Sequence, residues 1–164
     1  MTSDPGFCLD ALCAAHEQAD QPDATFRALD AALAASVGHI LFTVLVHHPG
    51  LRQSERRYTN RAAEYPVGGR KPVTDSPWME QVIRRGEPYI GRTREDIRTV
   101  FYDHELIFSL GCESVLNVPV RWRGETLGTL NLLHRAGWYD EAQVPTVRRL
   151  AHLALPALML VARL

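Results

Sequence analysis

The chain has 164 residues, with 18 basic and 19 acidic side chains and a formal net charge of −1. This length suits one domain with its own core, and the balanced charge gives no reason to expect a nucleic acid as partner. The amino-terminal residues lack the basic and apolar segments of a secretory signal, and the longest apolar run falls short of the about 20 residues that span a membrane. We therefore expect a cytoplasmic protein without a membrane span.

Three cysteines, Cys8, Cys13 and Cys112, are an odd number and form no CxxC pair. This pattern is neither a disulfide framework nor a zinc site. Buried, unreactive thiols are the ordinary interpretation of such isolated cysteines.

Two helices are predicted before the first strand. The first runs from Phe7 to about Ala19, and its inner face is formed by Phe7, Cys8, Ala11, Leu12 and Ala15. Pro22 interrupts it, and Asp23 is predicted to cap the second helix, which Gly38 ends. The inner face of the second helix is formed by Phe26, Leu29, Leu33 and Val37.

The first strand is predicted over the almost wholly apolar segment 39–48, in which Thr43 is the one polar interior residue. Such a strand is covered on both faces and lies inside the sheet. A second, polar strand is predicted from Glu55 to Asn60 at a sheet edge. The segment 62–72 is rich in glycine and proline and predicts a loop.

Short elements follow in the middle of the chain. Ser76 caps a helix that begins at Pro77, and its apolar face is formed by Trp78, Met79, Val82 and Ile83. A short strand is predicted over 88–91, and 93–96 is a capping-box variant that opens a further helical turn. Asp103 is predicted to cap a helix that starts at His104. The zinc motif HExxH fails there because position 108 is Phe.

Two antiparallel strands are predicted over 114–134, joined by a three-residue loop at Trp122-Arg123-Gly124. Because strand side chains alternate and the loop has three residues, Asn117, Thr129 and Asn131 share one face. The other face is apolar, with Leu116, Val118, Leu130 and Leu132. A buried amide without a partner costs about 1–3 kcal/mol, so water, loop backbone or a ligand must satisfy these groups. A structural network and a binding pocket both fit this pattern.

A final helix is predicted after Asp140-Glu141, with Pro156 as a kink. From Leu150 onward it is apolar on nearly every side, more than one sheet face can cover. We therefore expect a homodimer built on the terminal helices, with Leu158 and Val161 in the contact.

The hairpin sequence Ser114-Val-Leu-Asn-Val-Pro-Val, the following Leu127-Gly-Thr-Leu-Asn-Leu-Leu-His and the later Trp138-Tyr-Asp-Glu together resemble the second half of a GAF domain. The resemblance to single-domain bacterial GAF proteins extends over nearly the whole chain. It implies an α+β fold with a central antiparallel sheet of strand order 2-1-5-4-3. Terminal helices cover one face, and short helices and loops cover a pocket on the other. We expect one domain over 1–164, with an N-terminal helix within 1–22 and the core in 23–164.

The resemblance implies a non-catalytic, small-molecule-binding sensory module. The pattern indicates no metal ligand and no catalytic residue, and it names no cofactor. The candidate ligand-binding residues are Thr43, Trp78, Tyr102, His104, Asn117, Thr129 and Asn131.

Two alternatives stay open. One GAF family reduces free methionine sulfoxide with a cysteine, and Cys112 lies in broadly the right region. In that family, however, the cysteine stands further upstream, where this chain has Phe108 and Ser109, and a helix C-terminus disfavours a thiolate at Cys112. The other alternative is a dimerisation scaffold with a vestigial pocket.

Overall fold

A computed structural model describes residues 5–162 of the chain, with side chains from Leu9 onward, so the predicted inner-face side chains of Phe7 and Cys8 lie outside the described part. The helices are α1 (Pro5–His16), α2 (Asp23–Ser36), α3 (Pro77–Met79, continued by a π-helical turn over Glu80–Arg84), α4 (Arg94–Val100), α5 (His104–Ser109), α6 (Val144–His152) and α7 (Leu155–Val161). The strands are β1 (Leu41–His48), β2 (Gln53–Thr59), β3 (Arg70–Pro72), β4 (Tyr89–Gly91), β5 (Ser114–Trp122) and β6 (Glu125–His134).

The six strands form one antiparallel sheet in the order β3-β2-β1-β6-β5-β4. The α+β class and the predicted order of five strands are confirmed, since β2, β1, β6, β5 and β4 follow it. The sixth strand is new: β3 lies where a loop was predicted and pairs with residues 53–55 of β2. Strand β2, which was predicted at the edge of the sheet, is therefore covered by β3 along residues 53–55. Pro72 fits there because a strand at the edge has one side that needs no ladder donor.

The turn between β5 and β6 differs from the prediction. It has two residues, since Trp122 pairs with Glu125. Arg123 and Gly124 have φ of 52° and 83°, as a type I′ turn requires. A β-bulge then shifts the register between Val120 and Arg121, so that Asn117 lies opposite Asn131. The three-residue loop was wrong, but the predicted faces are confirmed because the bulge supplies the residue that the turn lacks.

The main core lies between one face of the sheet and helices α1, α2, α6 and α7. The central apolar positions of β5 and β6 are fully buried in it, namely Leu116, Val118, Leu130 and Leu132. From the helices come Leu12, Phe26, Leu29, Leu33, Val147, Ala151 and Leu158. An added Cβ at Gly128 would lie 2.5 Å from the backbone oxygen of Leu45 on β1 and 2.8 Å from Leu158 Cδ2 on α7. This close approach explains why glycine stands in the middle of β6.

The predicted final helix is two helices, α6 and α7, whose axes differ by 53°. Pro156 stands in the first turn of α7, where a missing N–H does no harm, so the predicted kink is confirmed. Leu158 was expected at a subunit contact, but its side chain is fully buried against the sheet of its own chain. Within 5–162 no single helix is long and apolar enough to cross a membrane, although the bent pair α6 and α7 together meets that length and composition.

The helix starts were predicted with mixed success. Ser76 accepts a hydrogen bond from the Met79 N–H at 3.2 Å, and the capping box between Thr93 and Asp96 is complete. Asp23, however, is the first helical residue of α2 and not its cap. Asp103 precedes α5 without capping it, because its carboxylate is engaged elsewhere. Ala11, expected on the inner face of α1, is exposed.

Candidate functional site

A cavity of about 450 Å³ lies between the sheet and the segments that cover it on the face opposite α1, α2, α6 and α7. Its wall combines apolar, hydroxyl and basic side chains from β1, β2, β3, α3 and the end of α4. The lining residues are Leu45, Ser54, Arg70, Lys71, Pro72, Thr74, Ser76, Trp78, Met79, Val100, Phe101 and Tyr102. Three aromatic rings and a methionine make this wall suited to a flat apolar molecule.

A hydrogen-bond relay connects this wall to the sheet. Trp78 Nε1 donates to Asn117 Oδ1 at 3.0 Å, and Asn117 Nδ2 donates to Asn131 Oδ1 at 2.7 Å. Asn131 Nδ2 then donates to Thr43 Oγ1 at 3.2 Å. The relay exists because Asn117 lies opposite Asn131, and Thr43 lies opposite Asn131 on the next strand. Both amides are therefore satisfied within the protein, and Trp78 is held by its ring N–H.

The hydroxyl of Thr129 is the exception on this face. The residue is fully buried, and among the described residues its Oγ1 has no hydrogen-bond partner. A buried hydroxyl in this state destabilises the fold or is available to a molecule that reaches it.

The structure places the seven predicted site residues at three depths. Trp78 and Tyr102 line the cavity. The four sheet residues lie behind Trp78 and are buried, namely Thr43, Asn117, Thr129 and Asn131. His104 does not line the cavity but contacts a residue that does. Its Nδ1 donates to the Phe101 carbonyl at 2.9 Å, and its ring packs against Phe108.

A cluster of charged and aromatic side chains beside the cavity was not predicted. We call it the Asp103 cluster: Arg56, Tyr65, Lys71 and Asp103. The Tyr65 hydroxyl donates to Asp103 Oδ2 at 2.5 Å. The same carboxylate lies 3.7 Å from Arg56 Nη2 and 3.8 Å from Lys71 Nζ. The Arg56 guanidinium lies 3.6 Å from the centre of the Tyr65 ring, a cation–π contact.

Burial governs the titration of this cluster. It raises the pKa of the Tyr65 hydroxyl well above its usual value, and the charge of Asp103 adds to the shift. Burial also lowers the pKa of the Lys71 ammonium, which Asp103 opposes and Arg56 reinforces. The one signal in the sequence was that Lys71 is the only lysine of the chain. The members lie as far apart as positions 56 and 103, so no local pattern connects them.

Two further groups bear on the chemistry. Cys112 is fully buried, and this burial raises the pKa of its thiol to about 11, which keeps it protonated near neutral pH. His47 is also buried, with its Nδ1 2.9 Å from the hydroxyl of Ser54, and burial lowers the pKa of its ring to about 4. Within the described part of the chain, no three or more His, Cys, Asp or Glu side chains are grouped as a metal site would need.

The family model described as GAF domain matches residues 13–158. The chain belongs to the GAF domain family. GAF domains are typical of sensory and ligand-binding signalling modules, and the resemblance seen in the hairpin sequence is confirmed. A search of curated protein sequences found no significant match.

Solved structures support the fold. The GAF domain of an Acinetobacter phosphoenolpyruvate-protein phosphotransferase is 13% identical, with a TM-score of 0.71 and 94% of this chain and 91% of that one covered. The GAF domain of a two-component sensor histidine kinase from Bacillus halodurans is 15% identical, with a TM-score of 0.69 and coverage of 87% and 97%. Free methionine-R-sulfoxide reductase from Neisseria meningitidis, in complex with its substrate, is 14% identical, with a TM-score of 0.66 and coverage of 93% and 86%.

Proposed function

We propose that this GAF domain is a non-catalytic sensory module that binds a small molecule in the cavity beside Trp78 and works as a homodimer. The observation that carries the proposal is the cavity of about 450 Å³, which lies over the sheet and has an aromatic wall. A volume in this range is typical of pockets for small ligands. The proposal keeps the cytoplasmic location expected from the sequence.

The state of Cys112 favours binding over catalysis. Catalysis by Cys112 would need a thiolate in reach of a substrate, whereas this side chain is fully buried and its pKa is raised to about 11. Cys112 packs in a small apolar cluster with Ile97 and Ile107 under the short helices. It is not among the residues that line the cavity.

In this proposal the seven predicted residues act at different depths. Trp78 and Tyr102 contact the ligand directly, and His104 holds the backbone of Phe101, which also lines the cavity. Thr43, Asn117, Thr129 and Asn131 form a polar floor that a ligand reaches when the indole of Trp78 moves away from Asn117. A ligand that donates to Asn117 Oδ1 in place of the indole N–H would thus alter the hydrogen bonds that connect Trp78 to the sheet.

A thermal-shift screen of small metabolites tests the proposal with two tryptophan variants. Val100→Trp places a large ring in the cavity wall, whereas Leu106→Trp adds the same ring at an exposed position outside it. A ligand at about 100 times its Kd stabilises the folded state by about 2.7 kcal/mol. We expect hits to raise the Tm of the wild type and of Leu106→Trp but not that of Val100→Trp.

Two results would overturn this part of the proposal. Hits that stabilise Val100→Trp as strongly as the wild type would place the ligand elsewhere. A screen without any hit would leave the scaffold with a vestigial pocket as the better interpretation.

The dimer is proposed to form on the terminal helices. Large apolar side chains are exposed on α1 and α7, with Leu9 at 48%, Met159 at 43% and Leu160 at 64% exposure. An interface with a second copy of the chain would remove these side chains from water, which supports the proposal. Since Leu158 is buried in its own chain, Leu160 is the residue to change.

Size-exclusion chromatography with light scattering tests the dimer. Leu160→Glu places a charge in the proposed contact and should yield a folded monomer, whereas Leu106→Glu, also at an exposed position but on α5, should leave the dimer intact. A wild-type protein that elutes as a monomer at high concentration would refute the dimer.

A further inference from the structure

The wall of the cavity carries an unbalanced charge. Arg70 and Lys71 both line it, and none of the lining residues is Asp or Glu. Arg70 is paired with Glu55 at 3.1 Å, and Glu55 also lies beside Arg57. Among the described residues, the lining cation without a hydrogen-bonded carboxylate is therefore Lys71, because its nearest carboxylate oxygen, Asp103 Oδ1, lies 3.8 Å away.

The Asp103 cluster shows why Lys71 is not fully neutralised. The single carboxylate of Asp103 serves two cations, Arg56 at 3.7 Å and Lys71 at 3.8 Å, and its Oδ2 also accepts the short hydrogen bond of Tyr65. The cluster therefore has one more positive than negative charge. Arg56 has a side chain that is only 9% exposed and Asp103 one that is 13% exposed. A positive charge in such a place is stabilised by an added anion, because water screens it poorly.

Lys71 is positioned to meet such an anion. Its side chain is 24% exposed and lines the cavity, and its Nζ lies 4.2 Å from the centre of the Tyr102 ring. The Asp103 oxygen nearest to it, Oδ1, has no hydrogen-bond partner among the described residues. At 3.8 Å the ion pair is too long for a hydrogen bond, so the ammonium keeps donors for a ligand.

The rest of the wall defines the other half of the ligand. Trp78, Phe101 and Tyr102 present rings, and Met79 presents a flexible thioether. These groups favour a flat aromatic body, which stacks on rings and contacts sulfur well. The basic and aromatic parts lie on the same cavity, within reach of one small molecule.

We propose that the ligand of this cavity is a small aromatic carboxylate, with its ring among Trp78, Phe101 and Tyr102 and its carboxylate on Lys71. The inference rests on the proposed function, since it names the chemical class for the same cavity. In the bound state the ligand carboxylate supplies the second negative charge that Arg56 and Lys71 lack. Neutral and cationic molecules of the same shape leave that charge uncompensated and bind more weakly.

Isothermal titration calorimetry with a matched pair of probes tests the inference. The probes are 2-naphthoate and 2-naphthamide, which share shape and ring system and differ in charge. We expect the wild type to prefer the carboxylate by about tenfold, the size of one charge-assisted hydrogen bond near the surface. Lys71→Gln should lose this preference and Lys71→Arg should keep it, because Arg56 and Tyr65 still satisfy Asp103 in both.

The control is Arg85→Gln, which removes a positive charge from a side chain that is 51% exposed, paired with Glu87 and absent from the cavity lining. It should keep the wild-type preference, which would show that net charge alone does not explain the effect. Equal affinity of the wild type for the two probes, or a preference that persists in Lys71→Gln, would overturn the inference. The inference would also be overturned if the wild type bound neither probe. Neutral hits in the metabolite screen would then still support the proposed function, whereas a screen without hits would refute both.

Discussion

The two faces of the central sheet are built from alternating residues of the same strands, yet one face is apolar and the other carries buried polar groups. On the face toward the terminal helices Leu116, Val118, Leu130 and Leu132 are all fully buried in one apolar core. On the opposite face the intervening positions include Asn117, Thr129 and Asn131, which are as well buried but polar. Burial alone therefore does not distinguish the two faces.

What distinguishes them is how each face is satisfied. The helix face needs only close packing, as where Leu158 of α7 lies over Gly128. The opposite face needs a specific partner for every amide, and the relay from Trp78 to Thr43 supplies it. The helix face thus contributes packing alone, whereas the opposite face also holds the Thr129 hydroxyl, which has no partner among the described residues and which another molecule could engage.

The largest effect is expected from breaking the helix face. Leu158→Ala removes a fully buried side chain beside Gly128 and should lower the free energy of unfolding by about 3 kcal/mol. Leu106→Ala, at 40% exposure on α5 and outside the proposed dimer contact, should change it by no more than about 0.5 kcal/mol. Urea denaturation at equal protein concentration measures both. Similar losses for the two variants would show that α7 does not pack in the orientation described.

The faces themselves could be predicted from the sequence because strand alternation needs only the correct parity. The predicted parity was correct although the predicted turn was wrong, since the two-residue turn and the bulge beside Arg121 together shift the register by two residues and so leave each side chain on its predicted face. Neither the two-residue turn nor the bulge has a sequence pattern as clear as the alternation of apolar residues along a strand. The sequence thus predicted which face each residue occupies but neither the cross-strand pairs nor how the chain turns between the strands.

The cavity wall could be predicted only in part. Trp78 and Tyr102 were predicted because the GAF resemblance places short helices and loops over the pocket, and aromatic rings suit the roof of a small-molecule site. The Asp103 cluster could not be predicted from the sequence. Tyr65 and Lys71 lie in a segment with the composition of a loop, and only the folded structure brings them into contact with Asp103. Asp103 itself has the residue type of a helix cap, and the competition from Tyr65 decides against that role.

A smaller effect should come from breaking the polar face at its centre. Asn131→Leu leaves Asn117 Nδ2 and Thr43 Oγ1 without their partner and should lower the free energy of unfolding by about 2 kcal/mol. It should also change the fluorescence of Trp78, whose indole is held by Asn117. Thr129→Val is the matched control on the same face, because it removes a hydroxyl without a partner among the described residues and should cost nothing or stabilise slightly.

That pair of variants sharpens the comparison of the faces. A loss of stability in Thr129→Val equal to that in Asn131→Leu would mean that the Thr129 hydroxyl has a partner of its own, such as a bound water. The face would then be a fully satisfied network, with no group left over for a ligand.

The smallest effect, over the measured range from pH 6.5 to 5, concerns His47 at the end of β1, where burial lowers the pKa of the ring to about 4 from the usual 6.5. The folded state therefore keeps this ring neutral while the unfolded chain takes up a proton, so the stabilisation is complete above pH 6.5 and is lost progressively as the pH falls toward 4. Within that window His47 should contribute a slope of about 1 kcal/mol per pH unit to the free energy of unfolding. We expect His47→Gln to lose stability less steeply than the wild type between pH 6.5 and 5, before most carboxylates titrate, whereas His152→Gln, at an exposed histidine, should follow the wild-type profile. Urea denaturation at several pH values measures these slopes. Parallel profiles for the wild type and His47→Gln would show that the ring is protonated in the folded state as readily as in the unfolded one, and that water reaches this corner of the polar face.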